Sequence, residues 1–259
     1  MERFRESLKR HSVFGFALLT VALSFTAYLI PLPADSRSVL VPVILVFVPT
    51  VVCIPLAAIA KGKDGLRQLF SNARSGLKWL LIGALVGAGM RVAVLILGIL
   101  LGTSIKVDLS MPGTWFIVLA TIPLAYFEEL GWRRFALDRL LKSRSPFESS
   151  LLLGLPWGLV HLVIVLPGVM NAGAPAFPQF LVLVWMSVII TWAYVRSGGS
   201  VLTTTLLHGV QNGFVVLNRG LTLTESTWLM MWAYLILTIL FIAVERRLFF
   251  AKPSSSYVT

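Results

Sequence analysis

The amino-acid sequence predicts an all-α fold, a polytopic membrane helical bundle of about eight transmembrane helices in a single integral membrane domain over residues 1–259. Three observations predict it. The composition is 57% hydrophobic and only 13% charged, with a mean hydropathy of +0.87, far from the balance of a water-soluble domain. The apolar residues gather in runs near the roughly 20 residues that carry a helix across the hydrocarbon core. Lysine and arginine collect on alternate connections between those runs, as the positive-inside rule requires.

The first run, 13–32, follows Arg3, Arg5, Lys9 and Arg10. Its length and the lack of a small-residue cleavage site make it a retained anchor rather than a signal peptide. The second, 38–60, stops at the charged stretch Lys61 to Asp64 and holds Cys53, the single cysteine, which has no disulfide partner and reads as packing. Leu66 to Leu77 mixes apolar residues with Arg67 and Arg74, a spacing that suits a short helix lying at the inner interface. The third run, 79–101, carries Arg91 near its centre, which reads either as a counter-charge to acids elsewhere or as half of a buried structural pair. The fourth, 114–132, begins after Pro112 and Gly113 and ends in the acids Glu128 and Glu129. The fifth, 149–167, lies between Pro146 and Pro167-Gly168; the sixth, 178–196, stops at Gly198-Gly199; the seventh, 200–218, stops at Arg219-Gly220; the eighth spans 227–248.

With the N-terminus inside, 18 lysines and arginines fall in cytoplasmic segments, three outside (Arg37, Lys106, Arg219) and one, Arg91, within a span. Both termini are therefore expected in the cytoplasm. The formal charge of +11 is largely this topology. The basic residues are spread over every inner loop, no aromatic-interleaved basic module appears, and nucleic acid is not an expected partner.

Charges and imidazoles inside membrane spans are costly, which makes each a functional candidate. Glu129 and Arg133 are i,i+4 neighbours on a helix and pair on one face, while Glu128 projects about 100° away, free to meet another helix. Apolar surroundings oppose the ionised form of a carboxyl group and a neighbouring cation favours it, and that balance makes a glutamate a base near neutral pH. His161 follows Trp157 by one turn, with the indole read as a wall of the pocket. His208 and Asn212 also stand at i,i+4, so one face presents an imidazole and an amide, the donors that a developing oxyanion requires. Gln211 reads as a structural member of a polar interhelical contact, and His11, among basic residues before the first span, as solvated. At 1.5 Å per residue, Glu128, His161 and His208 lie roughly 7, 18 and 12 Å from the inner edge. All three suit one cavity open to the cytosol, since polar positions at such depth line a cavity or pack inside the protein.

Glu128-Glu-Leu-Gly-Trp-Arg133, Trp157-Gly-Leu-Val-His161 and His208-Gly-Val-Gln-Asn212 resemble the three ordered motifs of the CPBP intramembrane peptidases. That family includes type II CAAX prenyl endopeptidases and bacteriocin-processing or immunity (Abi) proteins. The motifs cover residues 128–212 and place a peptidase core at about 114–218. The resemblance implies a multi-pass hydrolase of a bacterial cell membrane, an endopeptidase that cuts peptide or protein substrates, some of them lipidated, at the cytoplasmic face among membrane lipids. It implies that Glu128 and His161 hold and activate the attacking water, that His208 and Asn212 stabilise the oxyanion, and that Glu129 and Arg133 support the site or seat substrate. Trp157 stands where many members have Phe, and Arg134 where bacterial members often have Gly.

Two branches stay open. Glu128, His161 and His208 are also the kinds of ligand that a catalytic zinc ion takes. The absence of a His-Glu-x-x-His helix and the oxyanion-like spacing of His208 and Asn212 favour a mechanism requiring no cofactor. The rivals to an enzyme are a catalytically silent membrane scaffold or immunity protein and a transporter. No pair of matching halves with broken helices speaks for transport.

Overall fold

A computed structural model describes residues 12–71, 75–103, 105, 114–218 and 220–253. Among them eight helical rods follow one another, one on each apolar run: α1 (Ser12–Tyr28), α2 (Ala34–Phe70), α3 (Leu77–Leu100), α4 (Thr114–Glu129), α5 (Pro146–His161), α6 (Ala176–Arg196), α7 (Val201–Gly213) and α8 (Leu223–Val244). A single turn, α9 (Arg246–Phe249), follows, and no strand occurs among the described residues. Five rods are long and apolar enough to cross a membrane: α2, α3, α5 with its 3-10 extension to Val165, α6 and α8. α1 and α7 are apolar but shorter, and α4 leaves α-helical geometry at Glu129.

The bundle has an apolar core that encloses a few charged side chains, and it turns large apolar side chains outward as well. Leu85, Leu119 and Ile239 are exposed, whereas Arg91, Glu128, Glu129, Arg133 and His208 are buried. An apolar solvent selects this arrangement, because a charge can be satisfied there only by the protein itself.

Local chemistry sets the rod boundaries. α5 and α8 each begin with a reciprocal capping box, Ser145 with Glu148 and Thr222 with Glu225, in which the side chain of each partner accepts from the other's backbone N–H. α2 is broken at Gly62, whose non-helical φ of 59° and ψ of −137° suit a residue without a Cβ. The turns beyond the break fold back on the protein, with Leu69 in the core. Residues 63–70 thus form a short helical segment of their own that overlaps the short helix expected from Leu66, while residues 72–74 of that expected helix lie outside the described residues and Leu77 opens α3.

Beyond Glu129, α4 widens into a π-helical stretch, Leu130–Leu137, all of it buried, and tightens again at Asp138–Leu140. Such widening is rare and is frequent at functional sites. Thr50 of α2 donates a hydrogen bond to the Phe127 carbonyl just before the acids.

α7 lies against both α3 and α4 at small-residue contacts, the device by which membrane helices approach closely. A Cβ on Gly87 of α3 would stand 2.3 Å from the Leu207 carbonyl oxygen, and one on Gly209 would stand 2.5 Å from the Ile122 Cα. Both obstacles are backbone. We expect Gly87→Ala to force α3 from α7 and to destabilise the protein by about 1–3 kcal/mol, the usual cost of overpacking. Thermal unfolding in detergent, followed by circular dichroism, checks this as a lowered midpoint.

Candidate active site

Glu128, Arg133, His161 and His208, drawn from the three motifs, converge on one indole. Trp157 of α5 is fully buried, and its Nε1–H donates to Glu128 Oε2 at 3.1 Å. His161 and His208 meet the Trp157 ring edge-on, with ring centroids 5.5 and 5.4 Å away. The Arg133 guanidinium lies over the same ring, 4.3 Å from its centroid, a placement in which the negative face of the ring attracts the cation.

Glu128 and Glu129 are adjacent yet have different partners. Glu129 is completely buried and its Oε1 meets both Arg133 Nη1 at 3.3 Å and His208 Nδ1 at 2.9 Å. The expected i,i+4 pair with Arg133 is therefore present, and Glu128 turns to another helix, as the roughly 100° step between adjacent helical residues requires.

Hydrogen bonding orients both imidazoles. His161 Nδ1 lies 3.0 Å from the Trp157 carbonyl oxygen, which can only accept, so Nδ1 carries the proton and the neutral ring keeps a lone pair at Nε2. His208 turns Nδ1 to Glu129, which leaves its Nε2 to face an incoming group. His161 is half-buried where Glu128 and His208 are buried, making it the more accessible of the three. Asn212 is half-buried one turn beyond His208, and among the described residues no hydrogen bond ties its amide to Glu128, His161 or His208.

Other polar residues take structural places. Arg91 donates from Nε to the Gln211 carbonyl at 2.7 Å and approaches Met230 Sδ at 2.8 Å, so its acceptor is backbone and not the acid pair. Gln211 donates to the Tyr234 hydroxyl, in line with its structural reading. Arg134 is buried and not merely a marker of the membrane edge. It reaches Asp138 Oδ2 at 3.0 Å, the Gln68 carbonyl at 2.9 Å and Ser71 Oγ at 2.7 Å, tying the π-helical stretch to the end of α2. The i,i+4 spacing of Arg134 and Asp138 signalled half of this contact. Cys53 is buried and unpaired, as packing requires.

Among the described residues no three His, Cys, Asp or Glu side chains converge closely enough to hold a metal ion. Glu128 Oε2 is engaged by the indole N–H and His208 Nδ1 by Glu129, and no step is routed through a metal.

The chain resembles known proteins over the segment that carries the site. Residues 110–214 match the Rce1-like family of type II CAAX prenyl endopeptidases. The CAAX prenyl protease 2 of Methanococcus maripaludis is 28% identical over 207 residues, which cover 73% of this chain and 74% of that protein.

Proposed function

We propose that this chain, whose residues 110–214 match the Rce1-like family, is an intramembrane endopeptidase that hydrolyses peptide bonds of peptide or protein substrates at the cytoplasmic side of the membrane. In this reading all eight rods pass through or into the bilayer and both termini face the cytoplasm, in accord with the distribution of lysine and arginine. The observation that carries the proposal is the gathering of Glu128, His161, His208 and Arg133 around the Trp157 indole, drawn from three separate helices.

The chemistry follows from the free atoms. A water molecule is held between the Glu128 carboxylate and the Nε2 lone pair of His161. As its oxygen bonds to the scissile carbonyl carbon, Glu128 takes one proton and later passes it to the departing amine nitrogen. The oxygen of the tetrahedral intermediate carries the negative charge, and His208 Nε2–H, in the doubly protonated ring, and the Asn212 amide donate to it. Glu129 keeps His208 turned, and Arg133, lying over the indole, pairs with Glu129. No metal or other cofactor is required for these steps.

The type of relative matched makes a farnesylated C-terminal peptide the first substrate to try. Purified protein in detergent, given a peptide library with and without a farnesyl-cysteine near the C-terminus, is expected to release a C-terminal fragment detectable by mass spectrometry and to do so in the presence of a zinc chelator. Failure of well-folded protein to cleave either set would move the reading to a silent scaffold or immunity protein.

Trp157 offers a graded test. Trp157→Phe keeps an aromatic ring against both histidines and Arg133 but removes the donor to Glu128. Loss of one hydrogen bond to a charged acceptor is worth about 1.5–3 kcal/mol, so turnover is expected to fall by about tenfold or somewhat more without being abolished. Steady-state rates for the two proteins at equal concentration check it.

A further inference from the structure

Away from the indole-centred site, the first turns of α1, the bend of α2 and the turn after Asp138–Leu140 enclose a cavity of about 650 Å³. Its lining holds Lys61, Arg139, Lys142 and Arg144 and, among the described residues, a single carboxylate, Asp138. That carboxylate is already occupied, with one oxygen accepting from Arg134 and the other from the Tyr194 hydroxyl. Among the described residues none of the cations has a carboxylate within salt-bridge distance, although Asp138 attracts Arg139 and Lys142, and Glu148 attracts Arg144, from farther away. Lys61 Nζ reaches Gln68 Oε1 at 3.3 Å, Arg139 lies over the Phe135 ring at 3.7 Å, and among the described residues none of the four forms a salt bridge. Glu148, the carboxylate next along the chain, is bound to Ser145 in the α5 cap.

The lining also holds apolar side chains that open outward, with Phe14 70% and Leu152 44% exposed. Basic and apolar side chains in one cavity of a membrane bundle match an amphiphile with an anionic head. A free anion would use the cations alone and a neutral lipid the apolar side chains alone.

We propose that this cavity binds an anionic phospholipid, its phosphate among Lys61, Arg139, Lys142 and Arg144 and an acyl chain along Phe14 and Leu152. Clustered lysines and arginines at the cytoplasmic membrane surface attract such head groups, and phosphate accepts charge-assisted hydrogen bonds from several cations at once. The proposal does not depend on the peptidase reading and rests only on residence in a membrane.

The test uses the full-length protein in mild detergent with phosphatidylglycerol, phosphatidylcholine or inorganic phosphate, the retained lipid being counted by native mass spectrometry. Wild type is expected to retain phosphatidylglycerol in preference to phosphatidylcholine and to keep it against an equal concentration of inorganic phosphate. The double variant Lys142→Gln/Arg144→Gln is expected to bind phosphatidylglycerol about 30-fold more weakly. An unchanged unfolding midpoint in phosphatidylcholine would show that variant to be folded. A control, Arg246→Gln/Arg247→Gln, removes two cations outside the cavity and is expected to bind as wild type does. Equal retention of the two lipids, displacement by inorganic phosphate, an unaffected cavity variant or an equal loss in the control would each overturn the proposal.

Discussion

Glu128→Gln is expected to lower turnover of a cleavable peptide by about 100-fold to 10,000-fold while leaving the unfolding midpoint within experimental scatter of wild type, the loss typical of removing a general base. Glutamine has nearly the same shape and keeps an oxygen able to accept the Trp157 Nε1–H, so the contact seen at 3.1 Å survives. What it lacks is the capacity to take a proton from water. Glu128 also has no ion-pair partner whose charge its neutralisation would strand, since Arg133 and His208 both turn to Glu129. Rate and stability measured on the same preparation separate chemistry from folding. Near-wild-type turnover by Glu128→Gln would remove Glu128 as the base and with it the proposed mechanism.

Glu129→Ala is expected to do the reverse and act first on stability, costing about 3–5 kcal/mol, as when one partner of a buried ion pair is deleted. Arg133 is 1% exposed, and its Nε and Nη2 have no hydrogen-bond partner among the described residues, so Glu129 is its principal source of compensation. The same deletion leaves His208 Nδ1 without its acceptor. Chemical or thermal unfolding in detergent reads the loss. Adding Arg133→Met to Glu129→Leu is expected to recover a large part of it, because replacing a buried pair by apolar residues of similar volume is often neutral or stabilising. Equal destabilisation by the single and the double change would place the role of Glu129 in something other than this pair. The two adjacent acids are thus separable, one through rate and the other through folding.

Much of this was legible before any coordinates. The all-helical class was legible because long apolar stretches bounded by glycine, proline and charge have few other ways to satisfy their backbone in a bilayer, although only five of the helices on the eight apolar runs are long and apolar enough to cross it. The Glu129–Arg133 contact was readable because i,i+4 spacing is local geometry. The sharp break at Gly62 was not, because it depends on a positive φ that the surrounding composition does not announce. The full role of Trp157 was hidden for a related reason. A tryptophan in an apolar run reads as packing, and its N–H matters only where a carboxylate 29 residues away faces it.

Composition, run length and charge asymmetry, all properties of the chain taken in order, specify a helical membrane protein and mark out the few polar residues that it can hold inside. Those residues bear on one another across 79 positions in the pair of His208 with Glu129 and across 120 in that of Arg91 with the Gln211 carbonyl. Helical periodicity carries information over one or two turns, whereas a hydrogen bond is set to tenths of an ångström by where glycine-lined helices come to rest against each other. For that reason the acids and imidazoles were visible as candidates in the chain, while the different partners of Glu128 and Glu129 emerge only once α4, α5 and α7 are packed around the Trp157 ring.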